Sequence, residues 1–305
     1  GVLIGFPVCP QLRANPQGEQ VAAGSATVNR DGSTLTINQG SDRAIINWQS
    51  FSIWSGELTK FLQPSSTSAA LNRVISGNPS SILGSLQANG QVYLINPNGI
   101  MVGGGARIDC GSFIASTLDV SDAAFMSGGD LNFLGTSTAG IQNLGSVNAI
   151  GGDVFLIAHT VENAGTITAP NGVAGLAAGQ EVLLMQSGDQ RIAVRVSGEQ
   201  LAVSSGSGNG IKNSGIIESA QAELKATGNL YALAINNEGV IRSTGLAEKN
   251  GRVWLMASAG STSSPQAGSL QAAPSGTIVS AGTISAQTRG SDAVTGDAVT
   301  RGGEI

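Results

Sequence analysis

The chain repeats itself, and that narrows the folds open to it more than any other feature. From about residue 130 an Asn-x-Gly-x-Val/Ile element recurs at Asn143–Val147, Asn163–Ile167, Asn213–Ile217 and Asn237–Ile241. Gly-Thr-Ile remnants follow at Gly276–Ile278 and Gly282–Ile284. A second element, an apolar run opened by glycine, reads Gly152–Ala158, Gly172–Ala178, Gly228–Ala234 and Gly251–Ala257. Asn143 and Asn163 are 20 residues apart, and Asn213 and Asn237 are 24 apart. Periods of roughly 20–50 residues mark solenoids. Short Val/Ile/Leu/Thr runs between Gly, Asn, Ser and Asp read as strands, and sustained helical periodicity is missing. A helical solenoid and a leucine-rich repeat are both excluded by the motifs they need. What remains is an all-β, single-stranded parallel β-helix, each strand pairing with its copy one coil on, about 4.8 Å away. A β-sandwich with Gly-rich turns is the alternative, and internal repetition disfavours it.

Composition fits that coil. Glycine is 44 of 305 residues, charged residues are 11% and aromatics 4%. A narrow bore takes Val, Ile, Leu and Ala; corners are expected to use Gly and Asn in the left-handed region, and a corner Asn in every coil can form an amide ladder. Mean hydropathy is +0.13, which excludes a disordered chain. The net charge of −5, with no Lys/Arg cluster, leaves no nucleic-acid footprint. The longest apolar stretch, Gly1–Pro10, is about half the ~18 residues of a spanning helix, so no membrane span is expected; it reads as a signal-peptide remnant or the start of a mature exported protein. Asp31-Gly32 between alternating flanks predicts a hairpin with a type I′ turn. Ser68–Ser76 is the one helical candidate.

Residues 1–45 do not fit the repeat and are read as the N-terminal cap that an open solenoid end requires; residues 46–305 are read as coils. No polar capping coil closes the chain, so a longer solenoid is expected to continue it. The chemistry on offer is sparse. His159 is the single histidine, and it reads as a solvated corner or strand-end residue. Cys9 and Cys110 are either free or form one long-range bridge, worth about 4.7 kcal/mol on the chain-entropy model. The carboxylates are scattered, Asp119 and Asp122 lying closest. Gly103-Gly104-Gly105 and Gly206–Gly210 lack the context of a phosphate loop, and the calcium-binding nonapeptide is absent. No enzyme activity, cofactor or metal is expected.

Two segments go beyond a generic coil. One is Ile37–Ile53, with Asn47-Trp48-Gln49-Ser50-Phe51. The other runs from Asn72-Arg73-Val74 through Gly90–Ile100, with Asn96-Pro97-Asn98-Gly99-Ile100, to Ala115–Asp119. Together they resemble the secretion domain of two-partner-secretion exoproteins, the family of filamentous haemagglutinin, the high-molecular-weight adhesins and related haemolysins. The likeness is dense over residues 20–185 and places such a domain at roughly 20–250. It implies a right-handed β-helix with an N-terminal cap and extra-helical β-hairpins. It further implies recognition in the periplasm by the POTRA domains of a TpsB-type outer-membrane β-barrel transporter, passage as an unfolded chain, and folding at the bacterial cell surface. Host-cell or matrix glycans would be partners of a full-length protein. Asn96, Pro97, Asn98, Gly99 and Ile100 match the family's signature pentapeptide, and Asn47, Trp48, Ser50 and Phe51 its earlier signature. Pro97 with Asn98-Gly99 also suits a tight turn, and Trp48 and Phe51 suit cap-to-helix packing, so shaping the fold and touching the transporter both stay open. Cys9 and Cys110 depart from the family pattern, since these domains are often cysteine-free, and a bridge closed before export would hinder threading. A stand-alone carbohydrate-binding or polysaccharide-acting β-helix is the alternative function.

Overall fold

A computed structural model describes residues 15–188, 190–195, 210–228, 233–245, 252–259 and 277–288. They form a parallel β-helix. Each coil has three faces. The coil Gly140–Asn143, Ser146–Ala149, Val154–Ala158 shows the plan. Its strands pair in parallel with residues 20 further on: Asn143 with Asn163, Val147 with Ile167, Leu156 with Leu176. The first face runs from Ser80–Ile82 through Ile100–Val102, Gly140–Asn143, Thr160–Asn163, Ile211–Asn213 and Leu233–Asn237 to Thr277–Ser280.

Period-2 alternation decides what faces the bore. Ile82, Val102, Ile141, Val161 and Ile211 point inward and are buried, as are Leu86, Ile108, Val147, Ile167 and Ile217 on the second face. Each such side chain contributes about 1.5–3 kcal/mol on burial. The repeated asparagines stack as expected. Asn143, Asn163, Asn213 and Asn237 are all fully buried. Each side-chain Nδ2 donates to the Oδ1 of the next, at 2.8 Å in all three links, and Asn237 ends the row on Ser280 Oγ at 3.2 Å.

The glycine two residues later serves a different purpose from the one expected. Among the described residues no non-glycine has positive φ, and none of the Asn-x-Gly glycines does either. The corner needs a missing Cβ rather than a left-handed backbone. A Cβ on Gly165, Gly215, Gly239 or Gly282 would lie 2.0–2.1 Å from the carbonyl oxygen of the glycine one coil earlier.

Three further expectations are corrected. Asp31 pairs with Thr34, so the hairpin loop is Gly32-Ser33; with φ +56° at Gly32 alone, the turn has the type II′ pattern, not I′. Ser68–Ser76 holds the strand Ala69–Val74, because tertiary pairing with Arg43–Trp48 and Gln91–Ile95 overrides local propensity. The helix is elsewhere, at Asp122–Ser127, capped by Ser121 Oγ accepting from Ala124 N and stopped by left-handed Gly128. Of the apolar run Gly228–Ala234, residues 229–232 lie outside the described residues, and its end does not follow the second element. Leu233–Asn237 belongs to the asparagine face, and the true copy is Ala220–Ala226, whose Ala222 pairs with Ala174 before it and Val253 after it.

At the leading end Gln20–Ala23 runs antiparallel to Arg43–Trp48, and Ala26–Asp31 antiparallel to Thr34–Gln39, while Thr34–Gln39 and Arg43–Trp48 also pair in parallel with Leu58–Leu62 and Ala69–Val74. The third face carries a second core on its outside. Ile45, Leu71, Tyr93, Ile114, Phe155 and Ile157 pack there under the helix and under an antiparallel patch of Leu131–Leu134, Glu181–Leu184 and Ile192–Arg195.

Candidate functional site

The Asn96–Ile100 segment joins the third face to the first. Asn96 is fully buried and each of its polar groups is engaged. Its backbone N–H donates to Ser116 O (2.9 Å), and its side-chain Nδ2 donates to Asn78 O (3.0 Å) and Ser80 Oγ (2.9 Å). Its Oδ1 accepts from Asn98 N (2.9 Å) and Nδ2 (3.2 Å), and its carbonyl accepts from Gly99 N (3.1 Å). That is a β-turn with an Asx turn inside it. Gly99, at φ +109°, takes the conformation L-residues avoid; Asn98 does not share it. Ile100 then enters the bore. Pro97 and Asn98 form the exposed tip, held from outside by Ser137 Oγ donating to Pro97 O (2.6 Å) and by Asn98 Nδ2 donating to Ser76 O (2.8 Å).

The Asn47–Phe51 group lies at the cap junction. Trp48 and Phe51 are buried, their rings edge to face at 5.7 Å. Trp48 Nε1 donates to Asn72 Oδ1 at 2.9 Å, and Asn72 Nδ2 reaches Tyr93 O at 3.2 Å on the strand that leads into Asn96. Asn72 therefore links Trp48 by hydrogen bonds to the strand that leads into Asn96, and Trp48, Phe51 and Ile100 share one core. Gln17 grips the segment, donating to Ser50 O and accepting from the Gln49 and Ser50 N–H groups. Asn47 pairs with Gln20 and Arg73 across the sheet, and its Oδ1 is buried without a hydrogen-bond partner among the described residues.

Sequence reasoning missed two arginines that hold the helix down. Arg73 contacts Asp119 at 3.0 Å and Asp122 at 2.8 Å and donates to Val120 O. Arg43 donates to Phe125 O at 2.8 Å and lies over the Phe125 ring at 5.2 Å. In the sequence Arg73 stands out only through Asn72-Arg73-Val74, and Arg43 not at all; Asp119 and Asp122 are committed to the Arg73 guanidinium.

The remaining candidates are structural. His159 is half-buried at the end of Val154–Ala158. Cys110 is fully buried in the bore, and burial pushes its thiol up, away from the reactive thiolate. Cys9 lies outside the described residues, as does most of Gly206–Gly210. Gly103–Gly105 is a turn. Among the described residues no three His, Cys, Asp or Glu side chains converge as a metal site would require, and no helix is long and apolar enough to cross a membrane.

Comparison with known proteins gives a consistent picture. The TPS secretion domain family matches residues 12–272. The heme/hemopexin-binding protein of Haemophilus influenzae strain Rd is 36% identical over 252 residues, which is 79% of this chain and 27% of that protein. A second H. influenzae protein of the same description is 44% identical over 106 residues, 34% of this chain and 11% of its own length. The chain thus spans about a quarter or less of these relatives. The crystal structure of the HMW1 secretion domain from H. influenzae superposes with TM-score 0.58 at 25% identity, covering 90% of this chain and 84% of that one. That of the filamentous hemagglutinin secretion domain gives 0.56 at 15% identity, covering 90% and 98%, a likeness of fold alone.

Proposed function

This chain belongs to the TPS (two-partner secretion) secretion-domain family, and on that premise we propose that it is recognised by a TpsB-type outer-membrane transporter and nucleates β-helix folding outside the cell. Family membership makes it part of an exported, adhesin-like protein that passes an outer-membrane transporter to the surface or medium. The observation that carries the finer reading is the buried Asn96. One side chain bonds to residues before and after it in the early coils, namely Asn78, Ser80 and Asn98, while the adjacent Pro97-Asn98 tip stays exposed. Asn96, Gly99, Ile100, Asn47, Trp48, Ser50 and Phe51 are assigned to folding of the cap and first coils, and Pro97 and Asn98 to the face offered to POTRA domains. Cys110 sits inside the bore, and it is assigned as a thiol that leaves the chain linear for threading. Asp119 and Asp122 are engaged on Arg73, which supports a domain without catalysis of its own. Heme or hemopexin binding, from the relatives' names, and any glycan binding are assigned to the remainder of the longer protein.

Co-expression with the cognate transporter tests this. Asn96→Ala is expected to reduce both export and the stability of the purified domain. Asn98→Ala is expected to change stability by less than about 1 kcal/mol, since it loses bonds at an exposed site, yet to reduce export. Undiminished export of both variants overturns the assignment.

A further inference from the structure

The antiparallel patch outside the third face contains charges that the secretion reading leaves unused. Its hairpin, Glu181–Leu184 with Ile192–Arg195, lays Val182, Leu184 and Ile192 against Phe155, Ile157, Val173 and Ala177. Those contacts are to coils that precede the hairpin. Its tip does the reverse. Glu223, 0% exposed, accepts from Arg191 N (2.6 Å) and Ile192 N (3.0 Å), from Gln221 Nε2 (2.9 Å) and from Lys225 Nζ (2.9 Å). Lys225, 5% exposed, donates to Gln190 Oε1 (2.7 Å) and Ile192 O (2.5 Å). Arg191 pairs with Asp153 at 3.0 Å, lies over the Phe155 ring at 5.8 Å and donates to Met185 O. Asp153 in turn accepts from Val173 N at 2.8 Å. The hairpin tip is therefore tied to Asp153, which itself holds Val173 in the next coil, and to Glu223 and Lys225 in the coil after that.

From this order we infer that Glu223 and Lys225 are positioning residues that lock the 131–195 patch only when the coil carrying Ile216–Gly228 has been laid down. The physical reason lies in the acceptors. The N–H groups that open the last patch strand are bonded by the Glu223 carboxylate, and a buried donor left without its acceptor is costly. The apolar underside alone holds the hairpin loosely; the later coil closes it. Removing one partner of such a buried ion pair leaves an uncompensated charge and is strongly destabilising. In a chain that folds from its first coil outward, the lock is a completion step about 30 residues downstream of the hairpin (Glu223 against Arg191 is 32). Substrate here is the chain itself, so the inference rests on the proposal of export-coupled folding.

Pulse-labelled hydrogen exchange during refolding of the full chain tests it without a transporter, so its failure is separable from failure of the export reading. Amides of 181–195 are expected to gain protection together with or after those of 216–228, and never before them. Protection of 181–195 ahead of 216–228 overturns the inference. In the folded chain, Glu223→Ala is expected to raise exchange in 181–195 and 131–134 by roughly 100-fold or more, while the asparagine-face strands keep theirs. Unchanged exchange in 181–195 overturns it as well. Should Glu223→Ala unfold the chain, Glu223→Leu combined with Lys225→Met, which removes both charges, is expected to fold with the protection order lost; an order retained in that variant refutes the positioning role.

Discussion

Asn163→Ala removes the middle of the buried amide row. Asn163 accepts from Asn143 Nδ2 and donates to Asn213 Oδ1, both at 2.8 Å with all three residues fully buried. Alanine leaves a donor above and an acceptor below without these partners. At ~1–3 kcal/mol for each buried group left unsatisfied, the loss is about 4 kcal/mol. Asn237→Ala is the internal control. It orphans only Asn213 Nδ2, because its other partner, Ser280, is exposed to water; the expected loss is about 2 kcal/mol. Urea unfolding followed by tryptophan fluorescence supplies the comparison. Because a solenoid need not unfold in one step, hydrogen exchange of 160–163 and 211–213 should be read beside it. If the asparagines merely fill space, the two variants cost the same. Equal losses, or a loss below 1 kcal/mol at Asn163, would refute the ladder argument.

Glycine positions separate in the same way. Gly215→Ala places a Cβ 2.0 Å from Gly165 O, a backbone atom that cannot swing aside, so destabilisation of ~1–3 kcal/mol or more is expected, whereas Gly151→Ala meets nothing within 4 Å and is expected to be neutral or slightly stabilising in thermal melts. Tyr93 gives an alkaline limb. Burial pushes its phenol up to about 12, above the ~10 of an unfolded tyrosine. The unfolded chain therefore ionises first, and the contribution is intact below pH 10 and lost between pH 10 and 12, by roughly 2–3 kcal/mol. Urea midpoints at pH 9 and 11 for the parent and for Tyr93→Phe check this, and parallel losses in both would contradict it.

Much of the coil was legible because its determinants recur. An inward asparagine and a Cβ-free corner must be repeated wherever coils stack, so Asn143, Asn163, Asn213 and Asn237 advertise themselves. Trp48 and Phe51 were readable as packing residues for a similar reason, being large apolar groups in an aromatic-poor chain. What failed was whatever depended on contacts from outside the coil. Ala220–Ala226 escaped the apolar template because Glu223 and Lys225 interrupt it, and those charges are explained only by a hairpin some 30 residues earlier in the chain (Lys225 against Ile192 is 33). Ala69–Val74 read as helix because its neighbours in the sheet lie more than 20 residues away on either side. The helix Asp122–Ser127 carries a start and a stop signal but, at six residues, no measurable period. The anchoring role of Arg43 and Arg73 was not legible, since their partners are set by tertiary placement. In the pentapeptide the turn was readable from Pro97 and Gly99; the burial of Asn96 was not.

The bare glycine corners have a consequence for how such a molecule can change. Chain length between successive ladder asparagines is 20, then 50, then 24 residues, yet the row is unbroken. Length is thus elastic between rungs but not at the vertical seams, where backbone touches backbone and no side chain can be admitted, at Gly145, Gly165, Gly215, Gly239 and Gly282 along one corner and at Gly111, Gly152 and Gly172 along another. Whole surface modules, such as the hairpin spliced in after residue 178, can be gained or shed between rungs so long as the thread returns to those seams. A lineage could redecorate the outside of this spiral freely while those lines stay frozen.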